Sequence, residues 1–385
     1  MLSYRWADPT ALPERPTGEE TGKNLLRLLR AWKAEQRPVF ILLGLGTGDL
    51  ATELDRSLPS GTRIIVSELA PENALEVLSR GRTEWWTGAG RTQLLADTSI
   101  WAHFFLWSLA GLTPQNSFIR INPEVGENRD DYMALRNAFQ HSRPLMPPRG
   151  RASRTSLTVA AILSPGEKNI DEFFRHIPNY VDETVAVWDG EKPAHTELEA
   201  GRSTRHLARP LGDDFAAQRN FMLENCRSEW ILYLDADERL PRGVWKVLPS
   251  LVQAADAGGL GGLYFSRQTF YPDTSHCMVG YGLWPDLQFR LFRNRPELRF
   301  VEPVHERLKG APGPHAVVLN GPILHYNRIF KSDEEVRKKL QGFDRAAGKD
   351  SEHMLNEEYP NLSAAFFPNL ARGERLQARI LPNQL

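Results

Sequence analysis

Two α/β domains in tandem are predicted by three features of this 385-residue sequence. Strand-like apolar runs alternate with helical patterns twice, across 38–66 and again across 157–234. A stretch rich in proline and arginine at 143–154 has no hydrophobic period of its own, so it reads as a linker. In each half, the strand-helix-strand order calls for a parallel sheet with helices on its faces. The expected layout is a domain at 1–142, the linker at 143–154, a second domain at 155–330 and a helical C-terminal extension at 331–385.

With 41% hydrophobic and 25% charged residues, the chain can fill two cores and is neither disordered nor fibrous. A formal net charge of -1 gives no general attraction to nucleic acid or to an anionic membrane, so no nucleic-acid partner is expected. Cys226 and Cys277 allow one disulfide at most, usage that suits a reducing compartment. The first 16 residues lack a basic start followed by an apolar core, and no run is long enough to span a bilayer. A soluble, cytoplasmic protein without an integral membrane segment is expected.

In the first half, 38–43 reads as a buried strand, 49–58 as a helix and 62–66 as a second strand. The turn between the first two is Gly44-Leu45-Gly46-Thr47-Gly48, and Glu68 follows the second strand. Glycines let a backbone approach a ligand at a helix N-terminus, and an acid so placed can bond a ribose hydroxyl. Gly44, Gly46, Gly48 and Glu68 therefore either bind a nucleotide or methyl donor or form a tight turn that packs without ligand. Taken alone, the turn resembles the first motif of Rossmann-like methyltransferases, which implies S-adenosylmethionine as cofactor. Glu84-Trp85-Trp86 and Ala96-Asp97-Thr98 could line such a pocket, but no catalytic motif follows them. Ile121-Asn122-Pro123-Glu124, with Tyr132 and Leu135, resembles instead the amino-terminal domain of motility-associated, flagellin-modifying glycosyltransferases, over roughly 38–140. A third possibility is a first domain that only docks an acceptor.

In the second half, 157–163, 184–188 and 230–234 are strand-like, and 169–177 and 215–225 are helical. Ligands of open α/β sheets bind outside the carboxyl ends of the strands. The three ends carry Ser164 to Asn169, then Trp188-Asp189-Gly190, then Asp235-Ala236-Asp237-Glu238. Alternation along a strand lets Asp235 and Asp237 point the same way, where a divalent cation would relieve their repulsion. Magnesium-like ions take one or two protein carboxylates and complete their shell with phosphates and water. The alternative is that these acids open a helix, with Pro241 just beyond.

Together these features resemble a family 2 glycosyltransferase with the nucleotide-sugar-binding GT-A fold, across 157–330. The matching residues are Glu167-Lys168-Asn169 after the opening strand, Val181-Asp182-Glu183, Gln218-Arg219-Asn220 and Asp235-Ala236-Asp237-Glu238. Arg290-Leu291-Phe292-Arg293 and Val304-His305-Glu306 resemble a subgroup acting in cell-envelope and surface-glycan assembly. The resemblance implies a mostly parallel central sheet and inverting transfer from a nucleotide-diphosphate sugar to a hydroxyl of a glycan or protein acceptor, of flagellin or lipopolysaccharide type. It also implies Mn²⁺ or Mg²⁺ held by Asp237, with Asp235 on the ribose or on a metal-bound water. Asp189, or Trp188 in strict register, would meet the nucleotide, with Ser164, Glu167, Asn169 and Arg219 among the substrate contacts.

An inverting transfer needs a base within hydrogen-bond reach of the acceptor hydroxyl. Glu306 is the first choice, with His305 and Asp286 as rivals, although Glu306 could instead pair with Arg307 or Arg293. His325 either completes the metal shell or sits at the core edge. Arg290 and Arg293 would share a face, and grip diphosphate, only if 288–293 bulges or turns. Trp284 and Tyr281 are candidates for stacking on sugar or base. In the tail, 333–340 has the charge spacing of a solvated helix face, and 359–368 either covers the cleft or packs.

Overall fold

The computed structural model describes residues 17–80, 90–126, 128–147, 154–212, 214–279, 283–302, 307–331, 334–335, 359–367 and 374–382. The chain forms two compact units, Met1–Ser142 and Arg143–Asn383.

In the first unit, Thr17 caps α1 (Gly18–Glu35) by accepting the Glu20 N–H, a role for which hydroxyl side chains are suited. There follow β1 (Val39–Leu43), α2 (Asp49–Ser57), β2 (Arg63–Glu68), α3 (Pro71–Ser79), β3 (Thr92–Ala96), α4 (Ile100–Leu109), β4 (Ser117–Ile121) and α5 (Arg129–His141). The strands are parallel, in the order β3-β2-β1-β4. Every residue of β1 is buried, as expected of a central parallel strand covered on both faces. Leu28 and Trp32 of α1, Leu50 and Leu54 of α2, and Val77 of α3 share one core cluster with Phe40 and Leu42.

The second unit opens with β5 (Arg143–Pro144), β6 (Leu157–Leu163), α6 (Ile170–His176), β7 (Glu183–Trp188), β8 (Thr204–Ala208), α7 (Phe215–Glu224) and β9 (Trp230–Tyr233). It continues through β10 (Glu238–Arg239), α8 (Arg242–Ala257), β11 (Gly262–Thr269), β12 (His276–Met278), β13 (Asp286–Arg293), β14 (Arg299–Val301) and β15 (Arg307–Lys309). Last come β16 (His315–His325), α9 (Asn327–Phe330), β17 (Asn361–Ser363) and β18 (Ala378–Ile380). The main sheet runs β5-β18-β16-β11-β13-β9-β6-β7-β8.

This sheet is mixed, which corrects the expectation of a mostly parallel one. The strands β9, β6, β7 and β8 are mutually parallel, but β13 runs antiparallel between β9 and β11, and β18 antiparallel to β16. Antiparallel neighbours do not need the helical crossover that a parallel pair requires, and among the described residues no helix separates β11 from β13.

The tail, whose described residues 334–335 are helical, also supplies strands that were not expected. Within its described residues, β17 pairs with β12 and β18 joins β16 to β5, so the start of the linker is itself a strand. Ala378 and Ile380 belong to the core. Residues 336–358, which include most of the expected charged helix, lie outside the described residues.

Candidate active site

β9 ends at Tyr233, and the chain turns at once: the Glu238 N–H donates to the Asp235 carbonyl at 2.9 Å, and Glu238, the first residue of β10, then pairs with His325 of β16. Strand alternation stops here, so the two aspartates acquire different partners rather than pointing together as expected. Asp235 accepts from Arg290 at 2.6 Å, from Arg219 at 3.4 Å and from the Tyr233 hydroxyl. Asp237 faces His325 Nε2 at 3.5 Å and Lys331 Nζ at 3.8 Å. Its backbone carbonyl accepts the Tyr326 N–H, which holds the turn against the end of β16.

Around Asp235 lies a buried ion cluster. Glu238 is 0% exposed and accepts from Arg290 at 2.7 Å, from Arg267 at 3.3 Å and from the Asp235 N–H at 3.1 Å. Arg267 in turn binds Asp286 at 2.6 Å. Arg290 reaches both acids from a β-bulge: the register passes from Leu263↔Leu291 to Tyr264↔Phe289, leaving Arg290 unmatched in β11. Bulges re-aim side chains in this way. The ring of Tyr233 lies 4.5 Å from the Arg290 guanidinium and 4.9 Å from that of Arg219. Burial works against the charge on Asp235, but Arg290 and Arg219 outweigh it and hold this carboxyl well below the usual carboxylate range. Burial dominates at Glu238 and pushes it up, only partly offset by Arg290. The pair thus concentrates its negative charge on Asp235.

At the end of β7, Trp188 is 0% exposed, donates from Nε1 to His206 and stacks on that ring. A residue so enclosed cannot touch a ligand, so Asp189, half-buried, is the available carboxylate. Asp189 accepts the Leu211 N–H at 2.9 Å and ties down the segment before α7. After β6, the Ser164 carbonyl accepts the Glu167 N–H, and Asn169 takes a left-handed conformation, φ 58°, to cap α6. The Asn169 carbonyl accepts from Arg239, which links this loop to the acidic turn.

Three expectations change. Arg293 does not join Arg290: it pairs with Asp256 of α8 at 2.6 Å and lies over Trp230. Asp286 is engaged by Arg267 and by the Gln288 amide. Trp284 packs edge-on against Phe367 at 5.3 Å. Tyr281, His305 and Glu306 lie outside the described residues. Sequence reasoning overlooked Arg267, Lys331 and the structural weight of Glu238. Glu238 could have been found from its place in the acid run, whereas Arg267 and Lys331 carry no local signal.

The glycine turn of the first unit is filled by its own chain. Glu68, 4% exposed, accepts from the Leu45 N–H at 2.7 Å, the Ala70 N–H at 2.8 Å and the Tyr132 hydroxyl at 2.8 Å. A Cβ on Gly44 would lie 2.1 Å from Val125, and one on Gly46 2.3 Å from Glu124. Glu124 itself accepts from the Thr47 N–H at 3.0 Å, and Asn122 donates to the Gly44 carbonyl at 3.2 Å. The approach that glycines open to a pyrophosphate or ribose is taken here by Val125, Glu124 and Asn122. Gly44, Gly46, Gly48 and Glu68 therefore do not fit S-adenosylmethionine, and the turn is one that packs on itself.

Residues 167–308 match the model of the Glycosyl transferase family 2. The matched residues, which include the acidic turn, lie within the second unit, so that unit carries a family 2 glycosyltransferase domain. Over 155 residues the chain is 28% identical to a TPR repeat-containing protein of Synechococcus elongatus, covering 40% of this chain and 36% of that one. It is likewise 28% identical over 152 residues to LpsC, a lipopolysaccharide core biosynthesis glycosyltransferase of Rhizobium meliloti, covering 37% and 50%. The chain thus spans half or less of the length of these curated relatives. Among solved structures, S. aureus TarS aligns with a TM-score of 0.31 at 14% identity, over 51% of this chain and 40% of that one. A complex of TarS 1–349 with UDP aligns with a TM-score of 0.29 at 11% identity, over 51% and 67%.

Proposed function

We propose that this protein is an inverting, metal-dependent glycosyltransferase that moves one sugar from a nucleotide-diphosphate donor to a hydroxyl of a surface glycan or protein. The observation that carries this is the pairing of Asp237, at the exit of β9 and within the family 2 match, with His325 at the end of β16. The two side chains are 10% and 12% exposed, so each gains from a cation that offsets its desolvation. The carboxylate suits Mn²⁺ or Mg²⁺, ions that leave coordination positions to substrate phosphates, and an imidazole ligand beside it would favour Mn²⁺ over the harder Mg²⁺. When bound, such an ion neutralises charge on the departing nucleoside diphosphate.

The chain's own groups do the rest. Asp189 would meet the nucleotide, and Lys331 would add a cation beside Asp237 for the diphosphate. Asp235, fixed by two arginines, presents a permanent negative charge to the ribose or to a metal-bound water. Asp286 is poorly placed as base because Arg267 and the Gln288 amide occupy its oxygens. Glu306, with His305 beside it, stays the proposed base. The lipopolysaccharide-core relative supports a surface-glycan acceptor, and the two buried free cysteines suit a reducing, cytoplasmic setting.

A thermal-shift assay with UDP, GDP and CMP, each with and without Mn²⁺, tests this, because a ligand of the native state raises its stability. One nucleotide is expected to raise Tm only with Mn²⁺, and Asp237→Ala should lose that shift while keeping its ligand-free Tm. A Mn²⁺-dependent shift that survives in Asp237→Ala would overturn the assignment.

A further inference from the structure

Asp235 also lines a cavity of about 730 Å³, a size typical of small-ligand sites. Its lining is divided by chemistry. Tyr264, Phe289 and Phe300 supply aromatic rings, with Tyr264 and Phe289 4.8 Å apart. Asn220 of α7 holds the Phe300 wall in place by bonding its backbone N–H and carbonyl at 2.8 and 2.9 Å. Arg219, Arg267, Arg290 and Arg307 supply guanidinium groups, while Asp235 is the one carboxylate among the described residues of the lining.

Glu238 and Asp286 pair with Arg290 and Arg267 from outside that lining. Counting them, three acids face four arginines, and positive charge remains in excess. Two donors are uncommitted. Arg307 is exposed and has no ion-pair partner among the described residues. Arg290 is 6% exposed at its side chain, and its Nε is buried without a hydrogen-bond partner among them. A buried donor left unmade is costly and favours a ligand that completes it.

We propose that this cavity is the acceptor subsite and that it takes a sugar bearing an anionic group, a carboxylate or a phosphate. The sugar face lies on Phe289 and Tyr264, and the anion is held by Arg290, Arg267 and Arg307, whose planar forks suit such groups. Asp235 joins the two sites, since it belongs to the cavity wall and stands two residues from Asp237. The acceptor role rests on the glycosyl-transfer function proposed above; the preference for an anionic sugar rests on the lining alone.

Saturation-transfer NMR on the full chain, with glucuronate, glucose 6-phosphate, glucose and inorganic phosphate as probes, tests the proposal. Both charged sugars are expected to bind about tenfold tighter than glucose, the effect of one charge-assisted contact. Inorganic phosphate, which has no ring face, should bind more weakly than glucose 6-phosphate. Arg307→Gln, at an exposed position, and Tyr264→Leu should each weaken the charged sugars severalfold, with folding checked by circular dichroism. Equal binding of glucose and glucuronate, indifference to both variants, or displacement of glucuronate by UDP with Mn²⁺ would overturn it. Charged-sugar binding in a chain without any Mn²⁺-dependent nucleotide shift would remove the glycosyl-transfer function and leave the anionic-sugar site standing.

Discussion

Arg290 sits between Asp235 at 2.6 Å and Glu238 at 2.7 Å with 6% of its side chain exposed. Removing one member of such a cluster strands the opposite charge in a poor solvent. Arg290→Met is therefore expected to lower stability by about 3–5 kcal/mol, read from the urea midpoint. Adding Glu238→Gln should recover part of that loss, because one buried acid is then neutral. His103 gives the first unit a pH dependence. It is 0% exposed, its Nε2 lies 2.9 Å from the Asp97 carbonyl, and burial holds its imidazole down to about 4. Between the ordinary histidine value and that lowered one, the unfolded chain binds the extra proton, so stability is full above roughly pH 6.5 and falls as pH drops toward 4. The loss should reach roughly 3 kcal/mol, and His103→Gln should flatten this slope in urea melts across that window. Asp237 and its acid neighbours were legible in the sequence because a strand ending in carboxylates is a local pattern. Their partners were not: Arg267, 29 residues from Glu238, has no local sign of that role.

Among the elements, the strand-to-helix turn at Gly44 to Gly48 and the bulge in β13 show how local rules hold and fail. The positive φ values of 89°, 58° and 83° explain why three glycines stand there, since other residues are strained in that region. Gly46→Ala would add a Cβ at φ 58° and 2.3 Å from Glu124. It is expected to cost about 2 kcal/mol or more by thermal or urea unfolding. The sequence made the glycines visible and left open what they face; tertiary packing placed Val125 and Glu124 in the space a ligand would need. Isothermal titration of S-adenosylmethionine into the full chain should accordingly show no binding heat. The bulge at Arg290 could not be read from the sequence, because a one-residue offset depends on how β11 pairs with β13. Despite that offset Arg290 and Arg293 keep different partners, Asp235 with Glu238 for the one and Asp256 for the other, so a single arginine of this pair serves the acidic corner.

For the whole molecule, the alternation of strands and helices correctly called for α/β architecture, but the outer part of the large sheet comes from distant segments. Residues 378–380 pair with β16, and Arg143–Pro144 pairs with them in turn. A chain ending at residue 330, the domain edge drawn from the sequence, would strip β18 from β16 and remove Ala378 and Ile380 from the core. An edge left bare in this way invites intermolecular pairing, so the truncated chain should show a lower Tm and a larger aggregated fraction by size-exclusion chromatography. The sequence by itself determined the class of fold, the strand ends that carry polar chemistry and the family resemblance of the second half, because each depends on residues close together along the chain. Only the tertiary structure decided that Asp235 belongs to an arginine cluster while Asp237 faces His325, and that the glycine turn closes on itself. Those outcomes depend on strand register and on contacts between residues far apart in sequence, where burial makes each charge and donor seek a partner.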